Sequence, residues 1–261
     1  PQNRFVIWAF FAGIKKRIGQ KNQGFSFLLT DKPELDRSES GILKYVCALL
    51  LPLGVKTAEF ETTFSISRES IEKVGHLFRE KKIDHSRKLI TIHPGASAPD
   101  RQWPPEYLAD LISKLQSTDK YQLILSYSQF EKEFVDDLKR YLKEPIVEVP
   151  DESIDDLGAL LSKTDLAIVN NSGPRHLAAA VGTRTLTFFE KHGDLMWKVY
   201  DDEDYHQVMK YEGNCELCER GKCYGLIPKS EAYGANCIRK VGVSDVYFRI
   251  ESIFGNSTFE H

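Results

Sequence analysis

Three short segments of the sequence gather side chains suited to holding phosphates and hydroxyls. The first, His93–Trp103 (HPGASAPDRQW), joins small residues, Gly95 and Ala96, that permit close backbone approach to the fixed positive charge of Arg101. The second, Ser126–Glu133 (SYSQFEKE), offers the Glu131 carboxylate as a hydrogen-bond acceptor. The third, Asn170–His176 (NNSGPRH), opens a helix on small residues, and the unpaired N–H groups of such a helix start favour a phosphate. A fourth group consists of thiols. Cys215, Cys218, Cys223 and Cys237 are spaced C-x2-C-x4-C-x13-C, which suits a structural Zn2+ in an all-thiolate tetrahedral site. Each group also has a plainer reading. Ser172-Gly173-Pro174 serves equally as an N-cap with proline near the first helical position. His176 reads as a satisfied, partly buried histidine, Arg101 as a solvated charge and Trp103 as a core anchor. The four cysteines read as reduced thiols in a loop, and Cys47 stands apart in an apolar helical pattern.

The elements that carry these segments follow from the apolar pattern. From residue 88 onward, strands and helices alternate. Leu89–Ile92 is a strand ended by His93-Pro94-Gly95, and Pro104-Pro105 open a helix with Leu108, Leu111, Ile112 and Leu115 on one face. Gln122–Ser126 is a strand, Glu131–Tyr141 a charged surface helix, and Ile146–Val149 a third strand. Ser153 with Asp156 resembles a capping box ahead of Leu157, Leu160 and Leu161. Leu166–Val169 is a strand, Pro174–Val181 a helix of small residues, and Thr185–Phe189 a strand. Val243, Val246, Ile250, Ile253 and Phe254 predict a closing helix with Ser244 as its N-cap. This order predicts an α/β fold with a Rossmann-like parallel sheet and helices on both faces. Ligands of such sheets bind at the carboxyl ends of the strands, where the three segments lie. Residues 1–87 predict helices over Leu43–Leu53, ending at Gly54, and over Ser70–Glu80, with one strand at Phe25–Leu29. So few strands make 1–87 a partial N-terminal α/β domain. Residues 88–261 form the second domain, including the Cys-rich segment 215–237 and the closing helix.

Composition narrows the function classes. With 261 residues, 41% hydrophobic and 28% charged, the chain is neither disordered, collagenous nor coiled-coil. Its longest apolar runs, Phe5–Ile14 and Val46–Val55, fall short of the roughly 20 residues of a membrane span. Lys15, Lys16 and Arg17 stand where a signal peptide needs small residues, so a cytoplasmic, reducing compartment is expected. Residues 1–88 carry 16 Lys/Arg against 10 Asp/Glu, and the rest 19 against 28. The basic first part is either chance variation or a face for an anionic partner, such as a phosphorylated acceptor or a membrane surface. Nucleic acid is not expected, because no basic helix or aromatic–basic module is present. The sequence has no G-x-G-x-x-G, no G-x-x-x-x-G-K-[ST] and no G-x-S-x-G, so it lacks the usual dinucleotide, P-loop and hydrolase signatures.

In combination, HPG-A-S, R-x-W-P and L-x-x-L-L-x-x-x-D-L-x-I-x-N-N-S-G-P-x-H-L-A-A-A-V-G-T closely resemble glycosyltransferase family 9, the heptosyltransferase family. The resemblance runs from about Ile92 to Phe254. Earlier, Ala12–Gly19 is similar to the family's A-G-x-x-x-R-I-G. The resemblance implies a GT-B fold of two Rossmann-like domains with the active site between them. It implies a C-terminal domain that holds a nucleoside-diphosphate sugar, typically ADP-heptose, and an N-terminal domain that takes a lipopolysaccharide-core acceptor. Carried over by position, Arg101 matches the basic residue of K-x-W-P and would contact the diphosphate. Ser172, Gly173 and His176 match D-[ST]-G-x-x-H and would meet the phosphates at the helix start, with Asn171 at the motif's first position and Gly95 nearby. Glu131 matches the acidic residue that would bind the nucleoside sugar hydroxyls.

Two departures qualify that reading. Asn171 replaces the family's Asp, removing a charge while keeping a hydrogen-bonding side chain. The Gly-Asp loop that supplies the family's general base precedes the segment matching Ala12–Gly19, so the chain is expected to be a fragment or to have lost that half, and no catalytic residue is assigned. The expected function is inverting transfer of a sugar, with heptose the expected type, to a glycolipid acceptor at the inner face of the inner membrane. Transfer would need no cofactor, and zinc would be structural. The alternatives are a nucleotide-sugar-binding protein without transferase activity, and a zinc-stabilised interaction module on a degenerate Rossmann scaffold.

Overall fold

A computed structural model of the chain describes residues 3–21, 24–33, 42–44, 46–55, 62–96, 99–191, 197, 204–214 and 237–255. It divides into two compact units, residues 1–61 with 192–201, and residues 62–191 with 202–261.

In the smaller unit, helix α1 (Asn3–Phe11) runs into a turn at Gly13, whose φ of 71° suits glycine. Beyond it, Thr30 N–H donates to Arg17 O at 2.8 Å, and Ile18 bridges Asp31. The strand expected at Phe25–Leu29 is a 3-10 turn over Ser26–Leu28. Phe25 lies in the left-handed region at φ 61°, which reverses the chain and ends any two-residue alternation. The helix expected over Leu43–Leu53 finishes as a 3-10 segment, Ala48–Leu53, because Pro52 within it has no N–H for an α-helical bond. It stops at Gly54, φ 79°, as the sequence predicts.

Among the described residues the larger unit carries six strands: β1 (Lys88–His93), β2 (Tyr121–Leu125), β3 (Val147–Glu148), β4 (Leu166–Asn170), β5 (Thr185–Phe188) and β6 (His206–Met209). All pair in parallel, in the order β3-β2-β1-β4-β5-β6. Among the described residues its α-helices are α2 (Arg68–Glu80), α3 (Pro105–Gln116), α4 (Lys132–Tyr141), α5 (Ile154–Leu161), α6 (Gly173–Ala180) and α7 (Val243–Gly255). Alternate strand residues face opposite ways. Ile90, Ile92, Leu123, Leu125, Leu166, Ile168, Leu186 and Phe188 pack with α3, α4 and α7. Leu89 and Ile124 pack with Val74 and Phe78 of α2 and with Leu160 of α5, while Ala167 and Val169 pack with Leu177 of α6. Burial on both faces explains the near-continuous apolar strands.

Three features of the larger unit differ from the sequence reading. The compact unit begins at Thr62, not at 88, because α2 lies against α5. Lys73 of α2 contacts Asp156 at 2.8 Å and Glu152 at 2.6 Å, and Ser70 Oγ donates to Asp156 at 2.8 Å. Ser244 is not an N-cap, since Val246 N–H already bonds Gly242 O and the helix starts at Val243. Strand β6 pairs with β5 although its half-buried His206–Met209 sequence has no apolar run.

Candidate functional site

The strand order reverses direction between β1 and β4, and a crevice opens at the carboxyl ends of the strands at such a point. The loops after β1 and β4 meet there. Asn170 Nδ2 donates to Pro94 O at 2.6 Å, and its Oδ1 accepts from Trp103 N at 3.1 Å. Ser172 Oγ donates to Gly95 O at 2.9 Å. Trp103 is a core anchor, 1% exposed, stacked on Phe188 with ring centres 4.5 Å apart, and its Nε1 donates to Val241 O. Sheet and tryptophan together fix the loop that carries Arg101.

Ser172 occupies the N-cap position of α6, yet its side chain makes no cap bond. The hydroxyl turns to Gly95 instead, so the positive end of α6 is not neutralised by that side chain. Among the described residues a Cβ built at Gly173 would meet nothing within 4 Å, so none of them crowds the first turn of α6. The helix closes on Gly182 at φ 78°. His176, one turn into α6, is half-buried. Burial, with the Arg175 charge beside it, lowers its pKa from the usual 6.5 to about 4, so it is neutral at pH 7. Arg175 is buried with its guanidinium 4.7 Å over the Phe189 ring.

Arg101 ends a 3-10 turn, Pro99–Arg101, and its Nε lies 3.4 Å from Glu190 Oε1. The amide Nδ2 of Asn171 donates to Glu190 Oε2 at 3.5 Å. Glu131 comes to the same crevice from the loop after β2. Its Oε2 accepts from Ser128 N at 2.9 Å in a capping box, and a Cβ at Gly95 would lie 2.6 Å from its Oε1. Gly95 is therefore glycine for close approach. Behind it, Gly95 N donates to His93 Nδ1 at 3.3 Å. His93 Nε2 lies 3.7 Å from Asp151 Oδ1, which accepts from Ser126 Oγ.

Gly95, Arg101, Glu131, Asn171, Ser172, Gly173 and His176 thus lie on the loops and helix start at one end of one sheet. Glu190, Arg175, Asn170 and Asp151 also shape this end, and sequence reasoning does not single them out. Glu190 is detectable in principle as a carboxylate just past a strand's carboxyl end. Of the four cysteines, Cys215, Cys218 and Cys223 lie outside the described residues. Cys237 is buried, and its sulfur accepts from Lys191 N at 3.5 Å. Among the described residues no cluster of His, Cys, Asp or Glu could hold a metal, and no helix is long and apolar enough to cross a membrane.

Residues 6–224 match the family model of glycosyltransferase family 9 (heptosyltransferase). The chain belongs to this family. A curated relative, the lipopolysaccharide core heptosyltransferase OpsX of Haemophilus influenzae, is 26% identical over 205 residues. The match takes in 77% of this chain and 57% of OpsX, so the chain spans little more than half that relative's length. Among solved structures, a glycosyltransferase family 9 protein of Veillonella parvula superposes with a TM-score of 0.75 at 18% identity, over 98% of this chain and 72% of that one. The ADP-heptose lps heptosyltransferase II of E. coli gives a TM-score of 0.70 at 16% identity, over 98% and 75%. The family 9 chain therefore has the GT-B type of α/β fold that the sequence implied.

Proposed function

We propose that this family 9 chain takes part in transfer of a sugar, of the heptose type, from a nucleoside diphosphate to a lipopolysaccharide-core acceptor. The observation that carries the reading is the start of α6. It lacks a side-chain cap from Ser172, is crowded by none of the described residues at Gly173, and lies on the same strand ends as the Arg101–Glu190 pair. A helix dipole and a guanidinium suit a departing diphosphate, whose charge grows as the glycosidic bond breaks. A neutral His176 supplies a single N–H donor there rather than a second cation. Glu131, on the loop after β2, would accept from nucleoside hydroxyls. Inverting transfer also needs a base for the acceptor hydroxyl, which we leave unassigned. ADP-heptose is the proposed donor, as the name of the E. coli relative indicates for that enzyme. The acceptor is a glycolipid reached at the cytoplasmic face of the inner membrane.

The test is calorimetric titration of ADP into residues 1–261 and Arg101→Ala, alongside a transfer assay with ADP-heptose and a lipopolysaccharide-core acceptor. Losing a charged hydrogen bond costs about 1.5–3 kcal/mol, so Arg101→Ala should bind ADP roughly 10–150-fold more weakly. Equal affinity would remove Arg101 from the site. ADP binding without transfer would favour a non-catalytic nucleotide-sugar-binding role. We also propose a structural metal on Cys215, Cys218, Cys223 and Cys237. The N–H donated to the Cys237 sulfur is the kind of outer contact that metal-bound thiolates receive. Metal analysis of purified protein finding no bound zinc or other transition metal would reject it.

A further inference from the structure

The carboxylate of Glu190 joins two residues that come from different strands. Its Oε1 lies 3.4 Å from Arg101 Nε, on the loop after β1, and its Oε2 accepts from Asn171 Nδ2 at 3.5 Å, at the end of β4. Glu190 is 6% exposed, and a carboxylate withdrawn from water is costly unless a counter-charge and hydrogen bonds compensate it. Arg101 supplies the charge and Asn171 the hydrogen bond. The position of Glu190 is itself fixed. It directly follows Phe188, stacked on Trp103, and Phe189, whose N–H donates to Met209 O at 3.0 Å and whose ring lies under Arg175. The amide at 171 and the acid at 190 suit one another, because an aspartate at 171 would face the Glu190 carboxylate with a second negative charge in place of a donor.

We propose that Glu190 is a positioning residue for diphosphate recognition, holding the Arg101 guanidinium in place beside the start of α6 before ligand arrives. A guanidinium has five donors, so engagement through Nε is compatible with a forked phosphate contact through its terminal nitrogens. Pre-orienting a long side chain reduces the entropy lost on binding. The proposal rests on the nucleoside-diphosphate reading above. It also fixes a sign. If Glu190 merely competed with phosphate for Arg101, removing its charge would tighten binding rather than weaken it.

The experiment is calorimetric titration of ADP into residues 1–261 as wild type, Glu190→Gln, Glu190→Asp, Arg101→Ala and the Arg101→Ala/Glu190→Gln double variant. Glu190→Gln should bind about 10-fold more weakly, the low end of a charged hydrogen bond's worth. Glu190→Asp, which restores the charge, should recover most of that loss. The double variant should match Arg101→Ala, because a residue acting only through Arg101 has nothing left to position. Glu190→Gln that binds as wild type or tighter, or losses that add, would overturn the proposal while leaving the diphosphate reading intact. Wild type that binds neither ADP nor UDP would overturn both. The Arg101 Nε–H resonance, assigned by its loss in Arg101→Ala, gives a check independent of any Glu190 variant's folding. A resonance protected from solvent exchange in the ligand-free wild type supports the proposal, and a rapidly exchanging one overturns it.

Discussion

Adding one methyl group at Gly173 separates the demands of folding from those of ligand binding. Gly173 is the first residue of α6, its backbone is outside the left-handed region, and a methyl group placed on its Cα would meet nothing within 4 Å. Folding should tolerate the change. Replacing glycine by alanine in a compatible conformation stabilises by about 0.4–1 kcal/mol, mainly by restricting the unfolded chain. For a chain of this size that raises Tm by roughly 1–4 °C. Binding should respond in the opposite direction if a phosphate lies over the helix start. A phosphate oxygen must come within about 2.7–2.9 Å of an N–H to form a charge-assisted bond. A methyl group in the same space keeps it farther away. Loss of one such bond corresponds to about 10–150-fold weaker ADP binding. Thermal unfolding and ADP calorimetry on Gly173→Ala would measure both. A variant at least as stable as wild type with unchanged ADP affinity would show that the diphosphate does not sit over α6, and the reasoning from the uncapped helix would fail.

Other perturbations test the supporting structure. Gly95→Ala sets a methyl 2.6 Å from Glu131 Oε1 and should displace that carboxylate from its capping box, costing about 1–2 kcal/mol. In urea melts, Gly95→Ala/Glu131→Ala should then be no less stable than Glu131→Ala, and additive losses would mean that the clash lies elsewhere. The lowered pKa of His176, about 4 in the fold, means that the folded state resists a proton that the unfolded chain accepts. Stability from this source is intact above pH 6.5 and is lost as pH falls toward 4, by at most about 3 kcal/mol before solvent screening reduces it. His176→Gln should therefore gain on wild type in Tm between pH 7.5 and 4.5, and parallel profiles would contradict the burial argument. Burial pushes the Asp156 carboxyl up, but hydrogen bonds from Lys73, Ser70 and Ser153 outweigh it and hold it below the usual range. Asp156→Asn should destabilise by about 1–2 kcal/mol at pH 7, and the deficit should shrink only as acid protonates Asp156 in the folded wild type. A deficit that persists unchanged to pH 2 would point to packing rather than charge.

The larger unit is legible where one physical rule dominates. Strands buried on both faces read as apolar runs, and Leu108, Leu111, Ile112 and Leu115 mark α3 by helical spacing alone. The loops at 93–103 and 170–176 are legible as a site because parallel sheets bind at their carboxyl ends. What escapes is set by distant partners. The pattern predicts a helix at Ser70–Glu80, but nothing in its own residues says that α5, some 80 positions later, completes it, so the expected boundary lies too late. Phe25–Leu29 is apolar enough for a strand, but the left-handed Phe25 turns the chain into a 3-10 segment over Ser26–Leu28. Edge strand β6 takes its shape from pairing with β5 rather than from its own pattern. Glu190 is a single acid with no spacing signal, and its meaning comes from Arg101, far earlier in the chain.

The motif residues at the crevice divide into those that hold the scaffold and those turned toward solvent. Asn170 and Ser172 spend their polar groups on Pro94, Trp103 and Gly95, so they fasten the β4 loop to the β1 loop. That fastening withholds the Ser172 hydroxyl from α6, which keeps the helix's positive end available to an anion. Arg101, on the fastened loop, is steadied in turn by Glu190. A diphosphate entering here would meet groups already oriented, and little ordering would remain to offset the binding free energy. The small residues have a matching logic. Gly95 is needed because Glu131 presses against it, whereas Gly173 is tolerated by the fold and leaves space that the fold itself does not use. Among the described residues nothing packs against the missing side chain of Gly173, at the start of a helix without a side-chain cap and on the same strand ends as Arg101, and that is the space the proposed ligand would fill.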